Sequence, residues 1–131
     1  MIEPWTTAAD RWASRLAQLI DTLRQHDENR WTQVGQDSNE LFPFRGWASL
    51  SRDATPNEDV AISVDFRRVD GGVEYRADIA HGDGLILAET PAETIELTDD
   101  PAALRAAVSK AMDAVDAFVG AHEDLVVKEL S

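Results

Sequence analysis

Val60-Ala61-Ile62-Ser63-Val64-Asp65-Phe66-Arg67-Arg68-Val69-Asp70-Gly71-Gly72-Val73-Glu74-Tyr75-Arg76-Ala77-Asp78-Ile79 is the stretch that decides the fold. Val60, Ile62, Val64 and Phe66 alternate with Ala61, Ser63, Asp65 and Arg67, and Val73, Tyr75, Ala77 and Ile79 alternate with Glu74, Arg76, Asp78 and Ala80. A period of two marks strands buried on one face. With Asp70-Gly71 as a two-residue turn, Val69 pairs with Gly72. Counting outward, Phe66 meets Tyr75, Val64 meets Ala77 and Ile62 meets Ile79, while Arg67 meets Glu74 and Asp65 meets Arg76 on the other face. A turn at Gly71-Gly72 would instead oppose Arg67 to Arg76 and Asp65 to Asp78. Like charges facing each other across strands are destabilising, and that register also mixes apolar with polar faces, so the first is selected. The pattern predicts an antiparallel sheet covered on one side and solvated on the other.

Upstream, Arg45–Ser51 reads as a preceding strand, ended by Ala54-Thr55-Pro56-Asn57-Glu58. Downstream, His81-Gly82-Asp83-Gly84 is a turn. Leu85-Ile86-Leu87-Ala88 is a strand without alternation, so in either register large aliphatics stand on the polar side. Pro91 interrupts, and Ile95 and Leu97 mark a short last strand. Residues 26–43 read as a long irregular loop, with Trp31 and Val34 as a short strand or a loop anchor and Pro43 holding Phe42 extended.

Two helices flank the strands. The first is expected over about Thr7–Gln25, with Thr6 or Thr7 as its cap, Asp10 as a helping carboxylate and a stripe of Ala9, Trp12, Leu16, Leu19, Ile20 and Leu23. The second opens on Asp99-Asp100-Pro101, a capping carboxylate before a first-turn proline, and carries Leu104, Val108, Ala111, Met112, Val115 and Val119. Gly120 weakens or ends it, and Ala121–Leu130 continues as a shorter helix. The fold class is therefore α+β, a two-layer sandwich in which a four- to five-stranded antiparallel meander has both helices on one face. The order of elements is loosely similar, in architecture alone, to secretion-chaperone-like two-layer domains, which are also small and acidic. The helix those domains carry between the third and fourth strands is missing here.

The chain has 131 residues, the length of a single domain spanning 1–131. It has no cysteine, which removes disulfides, thiolate metal sites and a cysteine nucleophile. Acids outnumber bases 25 to 12, for a net charge of −13, a field that repels nucleic acid and anionic lipid. Residues 1–76 hold 13 acids and 9 bases, and residues 77–131 hold 12 and 3, so the second part is the more acidic. No apolar run approaches the roughly 18 residues of a membrane span, and Met-Ile-Glu-Pro-Trp lacks the pattern of a signal peptide. A cytoplasmic protein with no nucleic-acid or membrane partner is expected. Ten Arg against two Lys, with many Ala and Asp, is the usage of a GC-rich bacterium.

No phosphate-binding glycine loop, zinc motif, calcium loop or nucleophile elbow occurs, and no cofactor is expected. Asp78, His81 and Asp83 gather around one turn and are the only weak metal candidates; the residue types are those of a polar turn as well. Asp113 and Asp116, with Lys110, read as a solvated helix face, and His122 near the helix end suits the helix dipole. Six of the nine aromatics precede residue 50: Trp5, Trp12, Trp31, Phe42, Phe44 and Trp47. They either staple the first helix and the loop to the sheet or line a pocket under the loop, with Trp31, Phe42, Phe44 and Trp47 as walls and Arg45 holding an anion. The leading expectation is a non-enzymatic protein-binding module, a homodimeric bacterial adaptor, chaperone-like or immunity-type protein, with Leu85, Ile86 and Leu87 as its contact strand. The rival is a small-ligand binder or enzyme using the aromatic pocket.

Overall fold

The computed structural model describes residues 3–26, 30–52 and 55–130. The chain runs α1 (Glu3–His26), β1 (Arg30–Asp37), β2 (Phe44–Arg52), β3 (Thr55–Val69), β4 (Gly72–His81), β5 (Ile86–Glu89), β6 (Glu93–Glu96), α2 (Pro101–Ala121) and α3 (Glu123–Glu129). One antiparallel sheet holds every strand in the order β1-β2-β3-β4-β5, with β6 also on β4. It is an α+β sandwich, with α1 lying over β1 and β2, α2 over β4, and the two helices packed side by side.

The β3–β4 hairpin has the register that the charge pairs select: Phe66 opposite Tyr75, Val64 opposite Ala77, Asp65 opposite Arg76 and Arg67 opposite Glu74. Gly71 takes the positive φ of 79° at the turn, a conformation that costs a glycine nothing. Val60, Ile62, Val64 and Phe66 are fully buried against the helices. Phe66 stacks on Tyr75 (centroids 5.4 Å apart) and meets the ring edge of Trp5 (5.6 Å). Trp12 is fully buried, its indole lying where a side chain at Gly46 would stand, so the glycine lets α1 approach β2.

Three sequence expectations are corrected here. The first helix starts at Glu3, because Pro4 fits a first turn that needs no N–H from it; Thr7 and Asp10 lie inside the helix, and the Thr7 hydroxyl donates back to the Glu3 carbonyl (3.2 Å). Residues 30–37 form a full edge strand, so the long loop shrinks to a connection over 38–43. Asn39 holds that connection by accepting from the amides of Leu41 and Phe42 (2.9 Å each), and Arg68 N–H donates to the Leu41 carbonyl. The expected break before the hairpin is part of β3 from Thr55 onward, the irregularity being a register shift at Ser51/Arg52; Ala54 lies outside the described residues.

The last edge is one strand in two pieces. β5 pairs with the second half of β4 and β6 with the first half. Between them Thr90 N–H donates to the Ala77 carbonyl and Thr90 Oγ1 accepts from Ala77 N–H (2.9 Å each), which keeps the ladder going just before Pro91. α2 begins as its sequence indicates, Asp100 accepting from Ala102 N–H (3.0 Å). His122 caps its end, with Nδ1 2.8 Å from the Phe118 carbonyl. Val126 and Leu130 of the tail are buried in the core, and His81 Nε2 lies 2.7 Å from Glu129, tying α3 to the end of β4. Among the described residues no helix is long and apolar enough to cross a membrane.

Candidate functional site: the uncovered face of the sheet

Odd-numbered residues of β2 and β3 point away from the helices, and this face carries no layer among the described residues. The strand registers arrange it in rows. One runs Gly35, Trp47, Ser63, Asp78, Glu89; the next runs Gln33, Ser49, Ala61, Ala80, Ile86. The middle of the face is thus built of small side chains. Trp47 lies across Gly35, where any side chain would collide with its indole. Arg45 covers Trp47 in turn, its guanidinium carbon 5.6 Å from that ring and 5.9 Å from the Phe42 ring, with Nε 3.7 Å from Asp65. At the opposite border Ile86 is 48% exposed.

The charges on the face are mixed: the row Arg45, Asp65, Arg76 lies beside the carboxylates of Asp78 and Glu89. Asp78 stands opposite Glu89 across β4 and β5. Burial raises its pKa above the ordinary carboxylate value; neighbouring Arg76 pulls it down, and Asp65 and Glu89 add to the rise. Near one end Ser49 Oγ donates to Asp59 (2.8 Å), and Asp59 fills the space that a side chain at Gly82 would need.

The described residues of the expected aromatic pocket do not all converge. Strand alternation sends Phe44 into the core, 2% exposed and 6.1 Å from Phe66, while Phe42, Arg45 and Trp47 gather on the uncovered face. The Trp31 side chain lies outside the described ones. The turn cluster also separates. Asp78 is on the uncovered face, His81 faces Glu129, and Asp83 accepts from Leu85 N–H (3.0 Å). Among the described residues no group of three or more such ligands is placed to hold a metal. Leu85, Ile86 and Leu87 separate as well. A bulge opposite Ile79/Ala80 turns Leu87, with Ala88, onto the core; Ile86 stands on the uncovered face, and exposed Leu85, whose carbonyl accepts from His81 N–H, lies on the other side of the strand.

Two polar clusters were not legible from spacing. Arg11 on α1 reaches Asp113 (2.7 Å), Asp116 (2.6 Å) and the Ser109 carbonyl (3.0 Å) on α2, so the two aspartates clamp the helices together rather than face water alone. Beside it Arg15 binds Glu123 (2.7 Å), and both arginines line an open groove of about 510 Å³ with Asp10 and Gln18. On the other flank Tyr75 donates to Glu93 (2.8 Å) at the mouth of a second open groove, about 540 Å³, shared with Ala107 and Lys110 of α2. Burial first, then the hydrogen bond and charge of Glu93, push the Tyr75 hydroxyl up to about 12. No protein-family model matches the chain, and no curated protein matches it.

Proposed function

We propose that the protein is a non-enzymatic, homodimeric protein-binding module, of the adaptor, chaperone-like or immunity type, that receives its partner on the uncovered face of the sheet. One observation carries this reading. The face is wide, made of Ser49, Ala61, Ser63 and Ala80 at its middle, and bordered by a flat aromatic, Trp47, on one side and exposed Ile86 on the other. Small side chains let a second layer approach closely, and aromatic and aliphatic borders supply the anchors on which interfaces depend. The grooves elsewhere are open, and their polar groups are largely engaged with one another, as in the Arg11 clamp and the Tyr75–Glu93 pair. Asp78 and Glu89 stand beside the row Arg45, Asp65 and Arg76, so the matching partner surface sets basic side chains against Asp78 and Glu89 and acidic ones against the arginines, among apolar groups.

The test titrates the products of neighbouring genes against the wild type and against Ala80→Arg and Ser63→Arg, by calorimetry. The expected result is one binding partner whose affinity falls at least tenfold with either substitution, while circular dichroism and melting stay as in the wild type. Folded variants that bind that partner undiminished overturn the surface. Saturable binding of a small anion, lost in Arg45→Ala, would turn the reading toward the small-ligand alternative at Phe42, Arg45 and Trp47.

A further inference from the structure

The two edges of the sheet are finished differently. The β5–β6 edge consists of two four-residue pieces, with a bulge, Pro91, and Glu89, Glu93 and Glu96 along it. Short strands, bulges, prolines and charges are how sheets block further pairing. β1 has none of these devices. It runs eight residues in unbroken register with β2, holds no lysine or proline, and has its charges at its ends, Arg30 and Asp37. Its far side has no partner strand among the described residues. Backbone donors and acceptors spaced along an open, regular strand are a template for another strand.

A shoulder of apolar side chains lies beside that edge. Val34, on the helix side of β1 opposite Ala48, is 50% exposed. Arg11 and Arg15 fix which flank of α1 meets α2 and α3, so the flank with Ala9, Ala13 and Ile20 turns the other way, toward β1. Ala9 confirms the placement, since it borders a small groove with Gln36 and Asp37. Edge and shoulder together form a strip that is uncharged between Arg30 and Asp37, on a chain of net charge −13.

We infer that β1 pairs antiparallel with β1 of a second copy, joining the two sheets into one; this deepens the homodimeric part of the proposed function and rests on it. The occupant is a second copy because of charge and self-complementarity. Two copies of so acidic a chain repel each other across most of their surface, and this neutral strip is where they can meet. A basic partner gains nothing from an uncharged strip when the carboxylates of Asp78 and Glu89 are available on the uncovered face. Residues opposite one another in an antiparallel ladder share a face, so even-numbered residues pair with even and odd with odd. With Val34 on the two-fold axis, seven positions of each strand are paired, and Gln33 faces Gly35 of the partner subunit. The half-exposed Val34 side chains then bury each other, and the α1 shoulders flank them above the joint. The joined sheet carries both copies of the uncovered face on the same side, which makes the module bivalent.

The test is solution mass by light scattering and sedimentation at tens to hundreds of micromolar, for the wild type, Val34→Lys and Ile86→Lys. The expected result is a dimer for the wild type and Ile86→Lys, and a monomer with unchanged circular dichroism for Val34→Lys. A second measurement guards against a folding defect. The chain has no cysteine, so Val34→Cys carries a single thiol. Residues facing across a ladder lie about 4.5–5.5 Å apart at Cα, within disulfide reach, so Val34→Cys should oxidise to a covalent dimer while Ile86→Cys does not. A wild type that is monomeric throughout overturns both this inference and the homodimeric reading. A wild-type dimer that persists in Val34→Lys, that Ile86→Lys dissociates, or that Val34→Cys fails to cross-link overturns the β1 pairing and leaves the homodimer standing.

Discussion

The two faces of β3 are built from the same fifteen residues and obey different rules. Toward the helices, Val60, Ile62, Val64 and Phe66 are fully buried and touch side chains from α1, α2 and the neighbouring strands. Away from them, Asp59, Ala61, Ser63 and Asp65 are only half-buried, although no layer covers them among the described residues. The first face answers to stability, because every atom there is held by packing. The second joins small side chains at its middle to rows of mixed charge in a way that stability does not require, and a face shaped beyond what packing demands is where function is to be sought.

If the contrast holds, a charge placed in the interlayer core has the largest effect. Leu16→Asp and Val108→Asp, at sites 2% exposed, are each expected to unfold the protein, since an uncompensated buried carboxylate costs several kcal/mol against a total stability of about 5–15 kcal/mol. Thermal melting followed by circular dichroism checks this, and an unchanged transition in both would break the contrast at its root. Phe66→Ala removes the ring shared by Trp5, Phe44 and Tyr75. A loss of about 3–5 kcal/mol in urea unfolding is expected for it.

The next effect is spectroscopic. Tyr75 is the single tyrosine, so its ultraviolet titration has one component. The midpoint should lie near 12 in the folded protein and fall to the ordinary phenol value in guanidinium or, in part, in Glu93→Gln. Because folding raises this pKa, the stability it contributes is present below the unfolded value of 10.0 and is lost as the pH climbs through about 12.

The smallest effect belongs to the uncovered face. Folding also raises the pKa of Asp78, so its ionised form weighs against the native state above the folded pKa, and the contribution is most favourable below the unfolded one. Asp78→Asn should therefore melt slightly above the wild type at neutral pH. The two melting curves should converge as the pH falls to about 4, where an ordinary Asp takes up its proton. A destabilised Asp78→Asn would mean that this carboxylate holds the native sheet together, and the distinction between the faces would have to be redrawn.

Legibility followed the range of the interactions. The β3–β4 hairpin was readable to the residue, because turn, alternation and charge pairs lie within twenty positions of one another. α2 was readable at its start, where Asp100 and Pro101 act locally, and along its stripe, with Phe118 missed as the added core residue. β1 was readable only as one of two alternatives, a short strand or a loop anchor at Trp31 and Val34, and not in its length. Arg30-Trp31-Thr32-Gln33-Val34-Gly35-Gln36-Asp37 has two large apolar residues three apart and no period of two, and it is a strand because β2 offers it a ladder. The aromatic candidates failed to meet as one pocket for a reason that period two itself contains: neighbours Phe44 and Arg45 must point to opposite faces once the segment is extended.

Sequence alone therefore determined the class of fold, the register at its centre, the helix stripes and the side of the sheet they cover, since each follows from spacing, turn chemistry and the sign of facing charges. Tertiary structure alone decided that Leu87 turns inward at a bulge, that β6 returns to β4, that Arg11 clamps two aspartates about a hundred residues away, that α3 locks onto His81, and that β1 ends the sheet with its edge open. These depend on which surfaces remain after the core has closed, and an arrangement between residues far apart in the chain leaves no periodic trace in the order of its amino acids.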